Sequence, residues 1–396
     1  MNRPYIIDNL YRKILMDLLT STTVQQIINA VSVGAIYALF ALGYALVFSI
    51  LGVLNLAHSA IFMWGAFIGM LALDPEKAPI LIAFSIAALL LSIPSILLEK
   101  RIVQPQLLRL PHQSQRFVGL IVRVVALYLL WQIGRPIYGI LIGILPETMI
   151  IPAIIAFVFS VLGGGILSVI LEFTAFRPLR ARNAARLAQL VSSIGAALVL
   201  VNVAQIAFDW LYNRTEGYYP RDVQLLPFIP TETWIIGDLR ITPIRVVILV
   251  IALGLMVALQ YMVTKTQIGQ QMRAVAFNQR ISSLLGIDVS RVYIVTFFLA
   301  GAFGGAAGML FGMVFLNVTP FIGESIALVG LTAIVLGGLG SINGAVLGGF
   351  IVAFIQTASV TFGGSSYRNA IVFILLFLVL LLRPQGILGQ AEENRA

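Results

Sequence analysis

The stretch Thr264–Gly286 reads TKTQIGQQMRAVAFNQRISSLLG and lies between two long apolar segments of the chain. A polar, helix-favouring interval between apolar runs indicates a chain that leaves a membrane and enters it again. Two arginines make the stretch basic, which places it on the cytoplasmic side. Thr266 or Gln267 is positioned to cap a short helix, and Gly286 to end it in a left-handed conformation. A solvated loop helix and a helix that docks on another protein both fit these residues.

The composition indicates a polytopic membrane protein. Hydrophobic residues make up 60% of the 396 residues and charged residues only 10%, whereas a soluble domain carries about 25% charged residues. The continuous apolar runs exclude the short alternating strands of an outer-membrane barrel. The chain has no cysteine, which excludes disulfides and thiolate chemistry. The net charge of +9 suits arginines and lysines beside anionic lipid headgroups, so we expect membrane lipid and no nucleic acid as partners.

We therefore expect an all-α polytopic integral membrane protein with about nine transmembrane helices, within a range of about eight to eleven. The expected domains are an N-terminal interfacial segment at 1–26, a transmembrane domain at 27–389 and a tail at 390–396. Charge places two loops, 99–123 and 264–290, in the cytoplasm, and the balanced charge and interfacial Trp and Tyr residues of 209–245 suit an outer loop.

The long apolar reach Ile27–Leu73 exceeds one span and contains no charged turn, so it predicts two spans joined near Gly52 or a broken helix followed by another. The later spans are predicted at Ala78–Leu98, Val124–Leu145, Ile150–Leu171, Leu190–Phe208, Ile244–Val263, Val292–Phe315 and Ala370–Leu382, with a hairpin at Glu324–Val360. Three candidate segments separate the basic N-terminus from the basic loop 99–123. Either one of them is a half-span or the N-terminus is outside.

The first interruption, near residues 50–60, carries polar side chains at membrane depth. Asn55 and His58 are three residues apart and would share one face of a helix, and Tyr37 and Tyr44 would share another. Polar side chains in a span face either a path or a neighbouring helix. These four residues are candidates for a substrate path, and hydrogen bonding between helices is the alternative.

A second interruption is predicted at 337–349, where closely spaced glycines permit a re-entrant break or a close approach of backbones. Ser341 and Asn343 are its candidates for the substrate path, because broken helices at matching positions of two halves often mark a transporter's site. The chain has no Gly-x4-Gly-Lys-Ser/Thr motif, so it is not expected to hydrolyse nucleotide. With two histidines in all, no metal site is expected, and no catalytic residue is assigned.

Five stretches together resemble one known family, the permease subunits of branched-chain amino-acid ABC importers. They are VGAIYALFALGYALVFSILGVLNLAHSAIFMWGAF, FRPLRARNAARLAQLVSSIG, GQQMRAVAFNQRISSLLGIDVSRV, GLTAIVLGGLGSINGAVLGG and RPQGILG. The resemblance covers residues 25–75 and 165–390.

The resemblance implies a role for Gln271–Gly286 as the cytoplasmic helix that docks on an ATPase subunit. Its family pattern matches Gln271, Arg273, Ala274, Asn278 and Gly286. It also implies two ATP-binding-cassette ATPase subunits that bind the ATP, a second homologous permease, a periplasmic substrate-binding protein and a location in the bacterial inner membrane. No cofactor is expected on this chain.

The sequence leaves alternatives open for the substrate and for the transport mechanism. Branched-chain or other neutral amino acids are the first expectation, and urea or short amides the second, since the resembling family serves them too. A stand-alone secondary carrier or channel would need an ionisable relay within its spans, for which His58 and Glu324 are the candidates. A scaffold without a path is the third alternative.

Overall fold

The structure is a computed structural model that describes residues 3–83, 85, 152–182, 184–220, 232–363, 367–383 and 385–389, with side chains from residue 23 onward. The chain forms two compact units, one of Met1–Met70 with Pro152–Ala396 and the other of Leu71–Ile151. In the second unit the described residues are helical up to residue 73 and again over residues 78–83. The predicted loop 99–123, span Val124–Leu145 and tail 390–396 lie outside the described residues, as does most of Ala78–Leu98.

Helices build almost all of the described chain. They are α1 (Arg3–Leu51), α2 (His58–Leu73), α3 (Ala153–Leu171), α4 (Arg177–Ala181), α5 (Arg186–Tyr212), α6 (Pro243–Lys265), α7 (Gln267–Phe277), α8 (Gln279–Leu284), α9 (Val289–Phe315), α10 (Ile322–Gly337), α11 (Ile342–Gly363) and α12 (Arg368–Leu382). One π-helical turn, Glu172–Phe176, joins α3 to α4. Four short strands form two antiparallel pairs, β1 (Gly217–Tyr218) with β4 (Asn317–Val318) and β2 (Trp234–Ile236) with β3 (Leu239–Ile241).

Six stretches of the described helices are long and apolar enough to span a membrane: Thr23–Leu51, Ala153–Ala181, Arg186–Tyr212, Pro243–Lys265, Val289–Phe315 and Ile342–Thr361. Three shorter apolar helices, α2, α10 and α12, accompany them. The expected all-α polytopic membrane fold is confirmed.

The helix breaks fall where the sequence predicts them. Helix α1 ends at Leu51, and Gly52 takes a φ of +65°, a backbone conformation that favours glycine. Helix α10 ends at Gly337, and Gly338 has a φ of +111° in the turn before α11. At the other end of α1 there is no break, because one helix runs from Arg3 through residue 26 into the first span.

Helices α1 and α9 form the centre of the first unit. Of the six described spans, α1 is 83% buried and α9 78% buried, whereas α5 is only 17% buried and is the most exposed of the six. Helix α1 packs along α11 and α9, and α9 packs along α3. Where α9 contacts α3, a Cβ added to Gly305 would lie 2.2 Å from the carbonyl oxygen of Ser160. The glycines of α9 therefore serve packing within this chain.

The two ends of the α1 span contact different parts of the chain. The Gln25 side chain exchanges hydrogen bonds of 3.0 and 2.9 Å with the backbone of Arg240, in the β2–β3 hairpin. Ile50 instead packs against Met272 and Val275 of α7. At the rise of an α-helix these two ends are about 38 Å apart, more than the roughly 30 Å of a bilayer's hydrocarbon core. The hairpin and α7 therefore lie at opposite ends of a span.

Candidate functional site

The segment between α6 and α9 consists of two short helices, where the sequence predicted one. The Thr266 hydroxyl accepts a hydrogen bond from the backbone N–H three residues on, at 3.2 Å, and so caps α7. The side-chain oxygen of Asn278 accepts from the N–H groups of Arg280 and Ile281, each at 3.0 Å, and caps α8. Gly286 has a φ of +84° just after α8 and ends it as predicted.

One face of this segment is buried and the other is an exposed apolar patch. Met272 and Val275 belong to a buried cluster with Ile50, Val292 and Tyr293. On the outer side, four large apolar side chains are 50% to 80% exposed: Phe277, Ile281, Leu284 and Leu285. We call these four residues the α7–α8 patch. An apolar patch on a basic, polar segment is typical of a surface that binds another protein.

The predicted coupling residues flank this patch. The structure leaves Gln271, Asn278 and Gly286 exposed and Ala274 half-buried. Arg273 is exposed too, yet its guanidinium donates to the carbonyl oxygen of Val263 in the last turn of α6. Arg273 thus also holds α7 against the end of a span, a structural task that the sequence did not reveal.

A buried ion pair lies beside the same cluster. Glu172, which is 1% exposed, accepts a hydrogen bond from Arg180, and the Arg180 guanidinium carbon lies 3.7 Å from the ring centroid of Tyr293. Tyr293 in turn packs in one cluster with Met272 and Val275 of α7. This ion pair could not be predicted from the sequence, because charge alone does not show that Glu172, eight residues before Arg180, is buried.

The first helix break places its polar residues differently from the prediction. Helix α2 begins at His58, and Asn55 lies before it in irregular chain, so the two share no helical face. The His58 backbone N–H donates to the Asn55 carbonyl oxygen at 3.0 Å. The Asn55 amide is 1% exposed, and neither its nitrogen nor its oxygen has a hydrogen-bond partner among the described residues.

His58 is packed rather than open to a path. Its ring centroid lies 4.9 Å from those of Phe40 and Tyr44, and its Nε2 is 3.3 Å from the Phe40 carbonyl oxygen. A Cβ added to Gly43 or Gly304 would lie 2.5 or 2.9 Å from the imidazole. Small residues on two helices thus make room for this buried ring, and the contacts fit the packing alternative.

At the second helix break, Ile387 and Leu388 form hydrogen bonds with the last residues of α10. The Ser341 hydroxyl accepts from the Gly344 N–H at 3.1 Å and caps α11, whereas Asn343 is exposed. The N–H groups of Ile387 and Leu388 donate to the carbonyl oxygens that end α10, at 2.8 and 2.9 Å. The RPQGILG stretch therefore satisfies helix-end carbonyls that would otherwise lack partners.

A cavity of about 290 Å³ lies among α1, α9, α10, α11 and α12. Its lining residues are Tyr37, Phe311, Ile322, Ser325, Ile326, Val329, Gln356, Arg368 and Asn369. Of the six residues predicted for a substrate path, Tyr37 alone lines it. Gln356 and Arg368 were missed, although Arg368 is the one Lys or Arg between Val292 and Leu382 and could have been found by that signal.

Three polar side chains on three helices meet in this cavity. The Tyr37 hydroxyl donates to Gln356 Oε1 at 2.9 Å and accepts from Arg368 Nη2 at 2.8 Å. Arg368 Nε donates to the same Gln356 oxygen at 3.3 Å. Tyr37 and Gln356 are 1% and 3% exposed, so Arg368 is held by buried partners at the edge of the cavity.

Comparison with known proteins identifies the family. A family model described as "Branched-chain amino acid transport system / permease component" matches residues 80–380. The chain belongs to this family. The permease is 30% identical over 376 residues to the high-affinity branched-chain amino acid transport system permease protein LivH of Escherichia coli K12, covering 94% of this chain and 97% of LivH.

Two further relatives show how far the sequence similarity extends. The permease is 29% identical over 371 residues to BraD of Pseudomonas aeruginosa, a high-affinity branched-chain amino acid transport system permease protein, covering 94% of this chain and 97% of BraD. It is 28% identical over 160 residues to the ribose import permease protein RbsC of Escherichia coli K12, covering 39% of this chain and 45% of RbsC. No solved structure matches the chain. The predicted resemblance is confirmed: this is a multi-pass transport permease of the inner membrane.

Proposed function

We propose that this permease is the membrane-spanning subunit of an ATP-driven importer that passes branched-chain or other neutral amino acids from a periplasmic binding protein to the cytoplasm. Two separate ATP-binding-cassette subunits bind and hydrolyse the ATP, and this chain binds no cofactor. A second homologous permease completes the assembly within membrane lipid. The observation that carries the proposal is the exposed α7–α8 patch on a segment whose other face packs against α1 and α9.

The packing of α7 supports a mechanical link between an ATPase and the path. Met272 and Val275 contact Ile50 at the end of α1, and Val292 and Tyr293 at the start of α9. These two helices are the most buried spans. A partner that moves the α7–α8 patch therefore moves the ends of both central helices, which is the kind of displacement that alternating access requires.

The opposite end of the spans offers a surface for the binding protein. In the β2–β3 hairpin Trp234 is 43% exposed and Ile235 70% exposed. The bonds from Gln25 to Arg240 fix the hairpin to the outer end of α1. A protein docked on the hairpin would thus contact the same helix that α7 contacts at its other end.

The relatives that match 94% of this chain support amino acids as the substrate. LivH and BraD, both named for branched-chain amino acids, are covered to 97% of their length, whereas 45% of the ribose permease is covered. This favours amino acids. Urea or short amides would retain the same assembly and mechanism. A stand-alone carrier is disfavoured because His58, one of its two candidate relay residues, is enclosed by Phe40, Tyr44 and two glycines.

The docking proposal is tested by one substitution at each end of the spans. Leu284→Glu places a charge in the α7–α8 patch, where the side chain is 80% exposed. We expect the variant to insert normally, to lose co-purification of the ATPase subunits and to lose uptake. Ile235→Glu, at a 70% exposed position in the hairpin, is the matched control and should retain the ATPases. Retention of ATPases and uptake by Leu284→Glu would exclude this patch as the docking surface.

The substrate proposal is tested by uptake of labelled leucine, alanine and urea in cells with and without this gene. We expect deletion to remove leucine and alanine uptake and to leave urea uptake unchanged. Loss of urea uptake alone would replace the amino-acid substrate by the alternative. Unchanged uptake of all three would contradict both.

A further inference from the structure

We propose that the cavity among α1, α9, α10, α11 and α12 is a station on the transport path, in which Arg368 binds the α-carboxylate of the amino acid and Tyr37 and Gln356 hold Arg368 in position. This inference rests on the proposed function, because it assigns residues to the transport of an amino acid. It names the chemical class of ligand from the cavity itself: an aliphatic α-amino acid with a free carboxylate.

The cavity lies at membrane depth. Tyr37 is about 18 Å along α1 from Gln25, at the hairpin end, and about 21 Å from Leu51, at the α7 end. The hydroxyl of Tyr37 contacts Arg368 directly. Arg368 is the first residue of α12, and its side chain reaches Tyr37 in the middle of the α1 span. A guanidinium held at that depth is costly, and such groups usually face a path or a ligand. Its position therefore makes Arg368 a candidate for function.

Among the described residues, no acid neutralises the charge of Arg368. Its Nε and Nη2 donate to two uncharged side chains, Gln356 and Tyr37. Glu324, the one acid between Val292 and Leu382, makes no ion pair with it, nor does any other described carboxylate. Arg180, which is 22% exposed, shows the contrast, since it is paired with the buried Glu172.

The remaining donors of Arg368 suit a carboxylate. A guanidinium carries five N–H donors in a planar fork, and subtracting the two in use leaves three for a ligand. Arginine binds carboxylates through two parallel hydrogen bonds, which are stronger than bonds between neutral groups. Because Tyr37 and Gln356 are almost fully buried, the fork is held in place before a ligand arrives.

The rest of the lining selects the class of amino acid. Phe311, Ile322, Ile326 and Val329 form an apolar wall that suits an aliphatic side chain. Asn369 also lines the cavity, and its side-chain carbonyl oxygen is the acceptor that we assign to the ammonium group. A volume of about 290 Å³ suits a small molecule. Urea and amides have no carboxylate, so they would not use the charge of Arg368.

The experiment uses the absence of cysteine from the chain. Ser325→Cys places the only thiol on the cavity wall, and Ser283→Cys places one on exposed α8 as the matched control. The full chain in lipid nanodiscs is labelled with a maleimide in the presence of leucine or of leucinamide, which has no carboxylate. At ten times its Kd leucine should slow labelling of Ser325→Cys about tenfold, because the free fraction of sites falls by that factor. Labelling of Ser283→Cys should not change.

Arg368→Gln in the Ser325→Cys background should weaken the protection by leucine about tenfold or more, since it removes a charge-assisted contact. Arg368→Lys keeps the positive charge but lacks the planar guanidinium, so it should retain part of the protection by leucine. An unchanged thermal unfolding transition in both variants would show that they are folded. Full protection by leucine in Arg368→Gln would overturn the assignment.

Two other results would also overturn it: equal protection by leucine and leucinamide, and no protection by leucine. Failure here is distinguishable from failure of the proposed function. If gene deletion abolishes leucine uptake and leucine does not protect Ser325→Cys, the importer stands and this site is wrong. If deletion leaves leucine uptake intact, the importer proposal itself fails.

Discussion

At the residue scale, Glu172 and Arg180 show how one buried ion pair can join two parts of a membrane protein. Glu172 lies in the π-helical turn after α3, and Arg180 lies in α4 and covers the ring of Tyr293 in α9. Tyr293 lies in the same buried cluster as Met272 and Val275 of α7. The pair therefore connects the α3–α4 turn with the segment proposed to bind the ATPase.

Arg180→Met is expected to destabilise the protein by about 3 kcal/mol, because it leaves the buried Glu172 carboxylate without its partner. Arg182→Met is the control, since Arg182 is exposed in the same basic stretch. Thermal unfolding of the purified chains in detergent measures the difference. Equal melting temperatures for the two variants would mean that the ion pair contributes little.

At the element scale, close helix crossings depend on glycine. Helix α9 lies against α3 so closely that a Cβ on Gly305 would come within 2.2 Å of a backbone oxygen of Ser160, and one on Gly164 within 2.4 Å of the Gly301 carbonyl oxygen. Backbone atoms cannot rotate away as a side chain does. The spacing of α3 and α9 therefore requires small residues on both helices.

Gly305→Ala should destabilise the protein by about 2 kcal/mol or more, because the two helices must move apart. Gly254→Ala is the matched control, since a Cβ at Gly254 meets nothing within 4 Å. In the interior of α6 this change should be neutral or stabilising by up to about 1 kcal/mol. The prediction fails if chemical or thermal unfolding gives the two variants the same stability.

At the scale of the whole molecule, α1 fixes the sidedness of the chain. Its Gln25 end contacts the β2–β3 hairpin and its Ile50 end contacts α7. If α7 is cytoplasmic, as its charge predicts, residue 25 is outside, which agrees with the three spans that the sequence predicts before the basic loop 99–123. Of the two alternatives that the sequence left open, this favours an outer N-terminus.

The sidedness is measured with single thiols in this cysteine-free chain. Asp238→Cys, in the tight turn between β2 and β3, should react with a membrane-impermeant thiol reagent in cells whose inner membrane is intact. Ser283→Cys in α8 should react after that membrane is permeabilised. Reaction of Ser283→Cys without permeabilisation would reverse the orientation of α1 and with it the assignment of the docking surface.

Much of this protein follows from local sequence. Apolar length predicts a span wherever about 20 residues avoid water together, and the observed helices begin and end within a few residues of most predicted spans. Glycine and the capping residues Thr266 and Gly286 mark helix ends for reasons of backbone conformation. Asn278, which caps α8, lies inside the single helix that the sequence predicted to end at Gly286.

The cavity and the buried contacts were decided by the tertiary structure. Tyr37 is 319 residues from Gln356 and 331 from Arg368, so no local pattern brings them together. His58 and Tyr37 are both polar residues in spans, yet one is enclosed by aromatic rings and the other lines a cavity. Hydropathy determines that a residue enters the membrane, whereas the crossing of helices, set by side chains on distant segments, determines what it meets there.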